Sequence, residues 1–488
     1  MKTIFDARNV TMLMDLYELT MAGGYFLEGN TETRVAFDVT YRRNPDQAGF
    51  SIFAGLEQVI EFLEEMHFDA DDIQYLRSLN LFTEEFLAYL TSFRFRGDLI
   101  AFPEGTVMYP YEPIMTIIAP IIDAQIVETA ILAQVNHQSL IATKSHRIVR
   151  AARGRQVSEF GARRAHNIDA AFYGGRAAYI GGVNGSATLM CGEAFQIPVS
   201  GTMGHSWVMR HENEITAFRI FAKCYPQNCI LLVDTYDVIG SGVPNAIQIF
   251  EEMRDKGIQL TNYGIRLDSG DLAYLSKKAR KMLDKAGFED GKIIVSNSLN
   301  EETITSLLDQ GACIDSFGVG EQMITAKSDP VFGAVYKLSA VEEDGVFVPR
   351  IKISETVEKI TDPGLKEVYR VYDASGHAVA DLITRQDEKP DLSVPYRYVD
   401  PNKPWKNRFF ENCTLKCLRQ LVVKDGVRVM ERRSLEEIRD YVRKQLQDEI
   451  WEEEQRFEFP HVHYVDMSPS LYELKMSMLH ENRADVRG

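Results

Sequence analysis

The spacing of apolar positions changes character twice along the chain. Over the first ~125 residues, helical and strand-like runs are mixed: 15–21 reads as helical, 35–41 as a strand, and 56–66 as an amphipathic helix with Leu56, Ile60 and Leu63 on one face. A single helical pattern then covers 125–153, free of Gly and Pro until Gly154. Beyond it comes a regular beat, in which a short apolar run ends in a small or acidic residue and a helical segment follows. The runs are 156–160, 197–201, 230–234, 264–268, 293–296 and 314–318, and the segments 243–256, 270–287 and 300–310 read as helices between them. Ser298 and Glu301 have capping-box spacing, which would start the last of these helices. Later strand ends are separated by 34 residues (Asp234 to Asp268), 29 (Asp268 to Asn297) and 21 (Asn297 to Gly318), each enough for a crossover helix between parallel strands. The pattern therefore predicts a parallel sheet, open or closed into a barrel, with chemistry at the carboxyl ends of its strands. After about residue 340 the beat stops, 349–363 reads as an extended, charged excursion, and 434–451 as a surface helix. That helix has Leu435, Ile438, Val442, Leu446 and Ile450 on one face and a Ser434–Glu437 capping box.

Composition narrows the class. At 45% hydrophobic and 26% charged residues, the 488-residue chain is an ordinary globular protein, neither fibrous nor disordered. Its formal net charge of −17 argues against whole-surface binding to nucleic acid or acidic membranes, so an anionic substrate must meet a local cluster of cations. No apolar run approaches a bilayer span, and residues 1–10 carry Asp6, Arg8 and Asn9 where a signal peptide would have an apolar core; the expected location is cytoplasmic. Six scattered cysteines do not make a disulfide framework. Cys413 and Cys417 have the spacing of a shared helix face but lack a second Cys or His pair at zinc-site spacing.

Candidate chemistry sits at the strand ends. In Gly264-Ile-Arg-Leu-Asp-Ser-Gly-Asp271, Arg266 and Asp268 point to one side of a strand, a cation for oxyanions and an acceptor for hydroxyls. An internal Arg–Asp ion pair with Ser269 as helix cap fits the same pattern. Asp234, in Val-Asp-Thr-Tyr-Asp, repeats the logic one unit earlier, as a ligand for a ribose or metal or as a plain cap. Phe317-Gly-Val-Gly320 brings two glycines to a strand mouth, where backbone N–H groups approach phosphate closely. Ser158-Glu-Phe-Gly-Ala-Arg-Arg-Ala165 sets Phe160 beside Arg163 and Arg164, which suits a flat aromatic acid, and equally a core ring beside surface arginines. His205, in Ser-Gly-Thr-Met-Gly-His-Ser-Trp, has small neighbours and no nearby metal partner.

Taken in order, these segments, with DLYELTMA (15–22), RRNP (42–45), KISE (352–355) and PGLK (363–366), resemble the nicotinate phosphoribosyltransferase family of NAD salvage. The resemblance covers almost the whole chain. It implies an irregular α/β barrel plus a mixed α/β domain formed by N- and C-terminal segments, partitioned as 1–125, 126–340 and 341–488, the last packing with the first. The implied reaction joins nicotinate to 5-phosphoribosyl-1-pyrophosphate, with coupled ATP hydrolysis, required magnesium and active sites shared across a homodimer. By position, His205 matches the histidine phosphorylated from ATP, and Phe160 and Tyr17 would sandwich the pyridine ring, Tyr17 from the partner subunit. Thr202 and Arg266 match nicotinate contacts, with Arg163 a further candidate; the resemblance leaves open which of Arg163 and Arg164 faces the ring. Asp234 and Asp268 would face the ribose and its magnesium, no metal ligand being assigned outright. Ser298, Gly318, Gly320 and the intersubunit Arg42 would hold phosphates.

The chain departs from the family after Gly320, where Glu321 replaces a threonine able to bond phosphate; its carboxylate is expected to point away. Three rivals follow. A nicotinamide-specific relative would place an acid in 182–188, where this chain has Asn184 and Ser186. Quinolinate phosphoribosyltransferases are shorter and need a more basic pocket. A catalytically silent homologue has no need of His205, Arg266, Asp234 and Asp268 together.

Overall fold

The computed structural model describes residues 9–392, 396–401, 405 and 407–485. Asp6 and Arg8, read above as evidence against a signal peptide, lie outside them. Contacts divide the chain into two units, Ile141–Pro330 and a second made of Met1–Leu140 with Val331–Gly488.

The Ile141–Pro330 unit is built on six parallel strands: β1 (Gln156–Glu159), β2 (Gly185–Ser186), β3 (Asn228–Leu232), β4 (Asn262–Leu267), β5 (Lys292–Ser296) and β6 (Ser316–Val319). Their order is β2-β1-β6-β5-β4-β3. Every pair of consecutive strands is adjacent except β2 and β3, and β6 pairs with β1, so the sheet is a barrel opened at one seam. The helices are α1 (Ile168–Ile180), α2 (Leu189–Phe195), α3 (His205–Arg210), α4 (Glu214–Cys224), α5 (Val243–Asp255), α6 (Leu272–Lys285), α7 (Glu301–Asp309) and the short α8 (Glu321–Ile324). The apolar runs become strands because both faces are covered: Cys229 to Leu232, Ile265, Leu267, Ile293 and Val295 are all buried. Helix α6 turns Leu272, Ser276, Ala279 and Leu283 inward at helical spacing.

Two expectations here need correction. Residues 197–201 do not form a strand. Gln196 breaks the chain with a left-handed φ of 61°, and only Val199 bridges to Ser186, on the edge of β2. Strand β2 itself, two residues long, is too short for any periodicity. Nor do Ser298 and Glu301 make a capping box. Asn297 and Ser298 both take positive φ, 92° and 49°, so the turn is completed first and Asn300 caps α7, accepting from the Thr303 N–H at 2.8 Å.

In the other unit, a seven-stranded antiparallel sheet runs Val346–Pro349, Val335–Glu343, Arg34–Thr40, Met115–Pro120, Asp98–Ala101, Gln420–Lys424, Val427–Arg428. A six-stranded mixed sheet contains Ala378–Arg385 parallel to Val465–Met467. N- and C-terminal strands thus share one sheet. The helices Leu16–Leu27 and Leu56–Glu65 occupy the expected places, and Leu435–Lys444 has its Ser434–Glu437 capping box, with Ile438 and Val442 buried. Arg370 and Asp381, both fully buried, form a bidentate pair at 2.9 and 2.7 Å across adjacent strands. Cys417 ends the strand Thr414–Cys417, with Cys413 just before it, so they share no helix face; all six cysteines are unpaired. Among the described residues no helix is long and apolar enough to cross a membrane.

Gly264 fixes how closely β4 and β5 approach: a Cβ there would lie 2.0 Å from the Lys292 carbonyl oxygen. Gly264→Ala should therefore cost at least about 2 kcal/mol through forced strand separation, read as a lower denaturant midpoint; an unchanged midpoint would show that the sheet yields freely there.

Candidate active site

The carboxyl ends of β3, β4 and β5 converge through two carboxylates. Asp234, two residues past β3, accepts the Asp268 backbone N–H at 3.1 Å and the Ser269 hydroxyl at 2.6 Å on Oδ2. Its Oδ1 is buried and has no hydrogen-bond partner. Asp268, directly after β4, accepts the Ser296 hydroxyl from the end of β5 on Oδ1. Its Oδ2 lies 3.6 Å from His205 Nε2, within reach of charge attraction but beyond a good hydrogen bond. His205 opens α3, and its Nδ1 is 3.2 Å from the Thr235 hydroxyl. Capping is done by other residues, Asp237 ahead of the helical turn Val238–Gly242 and Asp271 for α6, so neither Asp234 nor Ser269 serves as a plain helix cap.

Arg266 is presented on the same side of β4 as Asp268. One guanidinium nitrogen, Nη1, donates to Thr202 Oγ1 at 2.5 Å and to the Met203 carbonyl at 3.1 Å, while the buried Nε has no partner. Burial lowers its pKa; the Asp268 and Asp234 carboxylates oppose that shift, and the nearby charge of Arg163 adds to it. Arg163 is therefore the arginine whose charge reaches this group, whereas Arg164 acts on Glu321.

Phe160 follows β1, with its N–H bonded to the Val319 carbonyl at 2.7 Å. Its ring lies against Gly318, where a Cβ would stand 2.5 Å from the ring carbon Cδ2. Gly318 thus makes room for an aromatic face, a requirement independent of any phosphate. One residue before Phe160, buried Glu159 accepts the Gly161 N–H on one oxygen and the Ser186 hydroxyl, at 2.7 Å, on the other. Burial raises its pKa, with Ser186 and the Gly161 and Ala162 N–H groups working the other way. Ser186 also accepts the Thr188 N–H at 3.0 Å, and Asn184 accepts the Val157 N–H at 2.9 Å. Both residues of 182–188 that stand in place of an acid are thus used in joining β2 to β1.

Ser298 and Gly320 lie beyond β5 and β6, Ser298 exposed in its left-handed turn and Gly320 one residue before α8. The Glu321 carboxylate is taken up by Lys327 at 2.6 Å, which holds its pKa low and leaves its backbone N–H at the start of α8. The unit thus gathers Phe160, Arg163, Thr202, His205, Asp234, Arg266, Asp268, Ser298, Gly318 and Gly320. Tyr17 and Arg42 belong to the other unit. Tyr17 sits on Leu16–Leu27, with its hydroxyl pKa pushed up by burial and by Glu128, and Arg42 donates through Nε to the Glu358 carbonyl at 2.9 Å. Sequence reasoning passes over Thr235 and Ser296 and reads Ser269 only as a helix cap. Their only signal is a hydroxyl beside or just after a strand-end acid or apolar run. No group of three or more His, Cys, Asp or Glu that could hold a metal is found among the described residues.

Family models describing nicotinate phosphoribosyltransferase match three stretches: its N-terminal domain over 12–136, the family itself over 155–375 and its C-terminal domain over 365–475. The nicotinate phosphoribosyltransferase of Bacillus subtilis is 42% identical over 483 residues, covering 99% of this chain and 98% of that one. That of Caenorhabditis elegans is 32% identical over 533 residues, covering 96% and 93%. The crystal structure of human nicotinic acid phosphoribosyltransferase superposes with a TM-score of 0.84 at 26% identity, covering 96% of this chain and all of that one.

Glu159 supplies the acceptors that hold the loop bearing Phe160. Glu159→Ala should leave the Gly161 N–H and the Ser186 hydroxyl unsatisfied and cost roughly 1–3 kcal/mol in a urea titration; an unchanged stability would mean the loop is held by other contacts.

Proposed function

The chain belongs to the nicotinate phosphoribosyltransferase family and is an enzyme of that activity, and from this premise we propose how its residues divide the work. Nicotinate lies with its ring on Phe160 and its carboxylate toward Arg266 and Thr202, with Arg163 adding positive charge and Tyr17 of a second subunit closing the other ring face. The observation that carries this is the half-satisfied, desolvated Arg266: its free Nε and depressed pKa are what a carboxylate ligand would relieve.

Asp234 and Asp268 face the ribose of 5-phosphoribosyl-1-pyrophosphate. They accept from its hydroxyls and stabilise positive charge as the C1–O bond to pyrophosphate breaks. The pyridine nitrogen then donates its lone pair to C1, giving nicotinate mononucleotide and free pyrophosphate, without a covalent sugar intermediate on the protein. Catalysis is chiefly positioning and charge stabilisation. Ser298, the Gly318 and Gly320 backbone and Arg42 of the second subunit hold the phosphates. Magnesium fits this donor set, because it is commonly held by one or two carboxylates with substrate oxygens and waters, and the buried Oδ1 of Asp234 is unused. When bound it would neutralise charge on the departing pyrophosphate.

ATP hydrolysis is coupled through phosphorylation of His205. Thr235 at Nδ1 orients the ring with Nε2 near Asp268, and a phosphoryl group there would alter the field at Asp268 and so at the ribose. The protein works as a cytoplasmic homodimer, with reduced cysteines, in NAD salvage.

The overall test is product formation from 5-phosphoribosyl-1-pyrophosphate and magnesium with nicotinate or nicotinamide, each with and without ATP. Faster nicotinate mononucleotide formation with ATP is expected, and turnover of nicotinamide instead would reject the carboxylate reading of Arg266. His205→Ala should abolish labelling by γ-phosphate-labelled ATP, and retained labelling would place the phosphoryl group elsewhere. Phe160→Ala should weaken nicotinate binding by about 1 kcal/mol or more, measured by calorimetry; unaltered affinity would remove the ring from the pocket.

A further inference from the structure

The helix Glu128–Ala151 carries Lys144 into the interior, where 2% of its side chain is exposed. A buried ammonium is costly unless its donors are paired, and Lys144 is paired in two directions. Its Nζ donates to Glu301 Oε1 at 2.8 Å and to Ser328 Oγ at 2.7 Å. Arg147, one turn along the helix, donates Nε to the same Glu301 oxygen at 3.0 Å. Glu301 begins α7, three residues after Ser298. Ser328 lies four residues past α8, in the connection that follows β6. The one ammonium therefore joins the loop after β5 to the loop after β6.

The turn after β5 needs such an anchor. Asn297 and Ser298 are consecutive residues at positive φ, a conformation that non-glycine residues keep only when their surroundings impose it. Upstream they are held by Ser296 on Asp268, and downstream by Asn300 as helix cap and Glu301 on Lys144. On the β6 side, the Lys327–Glu321 pair braces α8 from its outer face.

We propose that Lys144 is a positioning residue for the phosphate-bearing substrate, locking the two loops at the spacing in which Ser298 and the Gly320 backbone address one ligand. This rests on the reading of Ser298 and Gly320 as phosphate contacts. In this role Lys144 works through its bonds to Glu301 and Ser328 rather than by contact with the substrate.

The test is steady-state kinetics of the full-length protein with magnesium and ATP, varying each substrate in turn. Lys144→Met should raise KM for 5-phosphoribosyl-1-pyrophosphate by about tenfold or more while KM for nicotinate stays within about twofold, the split expected of lost ground-state contacts at one substrate only. Lys144→Arg should recover part of the loss, and Ser328→Ala should raise the same KM by a smaller factor. Since Lys144→Met removes one of the two cations on a buried carboxylate and leaves only Arg147 there, the pair Lys144→Met/Glu301→Gln is run beside it and should show the same selective rise. A fall in melting temperature with both KM values unchanged, or moved alike, would overturn the proposal and leave a purely structural ion pair. Ser298→Ala separates the two failures. If it raises KM for 5-phosphoribosyl-1-pyrophosphate while the Lys144 variants do not, the clamp alone is wrong; if it has no effect either, the phosphate reading falls and the clamp with it.

Discussion

The Asp234 carboxylate accepting the Asp268 backbone N–H is the bond on which the arrangement of the strand ends depends. It ties the end of β3 to the end of β4, and the Ser296 hydroxyl on Asp268 extends the tie to β5. Parallel strands deliver their ends to one rim, but the sheet ladder stops short of the loops, so their backbone groups need other partners. Here acidic side chains supply them. The same carboxylates that organise the rim keep one oxygen, Asp234 Oδ1, outside the internal network, and one, Asp268 Oδ2, facing His205.

This rim holds a local concentration of opposed charges within a chain of net charge −17. Arg266 is desolvated, bonded through one nitrogen and flanked by two carboxylates and by Arg163. In the proposed binding mode a neutral ligand would leave that guanidinium under-solvated, whereas an anionic aromatic acid would supply the missing acceptor. Asn184 and Ser186 have their hydrogen bonds taken up in joining β2 to β1.

Close packing accounts for features that motif reading assigns to ligands. Gly318 stands at a strand mouth where backbone N–H groups suit phosphate, yet its first constraint is the Phe160 ring, which leaves no room for a Cβ. Glu321, a carboxylate at the start of α8, has its charge taken up by Lys327. In both cases contacts within the fold account for the residue without a ligand.

The sequence alone determined the beat of buried strands and amphipathic helices, and with it the strand-end positions of Asp234, Arg266 and Asp268, because burial on both faces and helical spacing are local properties of the chain. It also carried His205 and Phe160, through motifs whose order matched a family. Only the tertiary structure decided the partners. Thr235, Ser269 and Ser296 are ordinary hydroxyls until strand register sets Leu232 beside Arg266 and Ser296 beside Gly318. The pairing of Lys144 with Glu301, 157 residues away, has no local signature at all. Where a backbone turned unexpectedly, as at Gln196 and Ser298, local spacing gave way to a left-handed residue. Register and burial arise between segments distant in sequence, and so no window on one segment contains them.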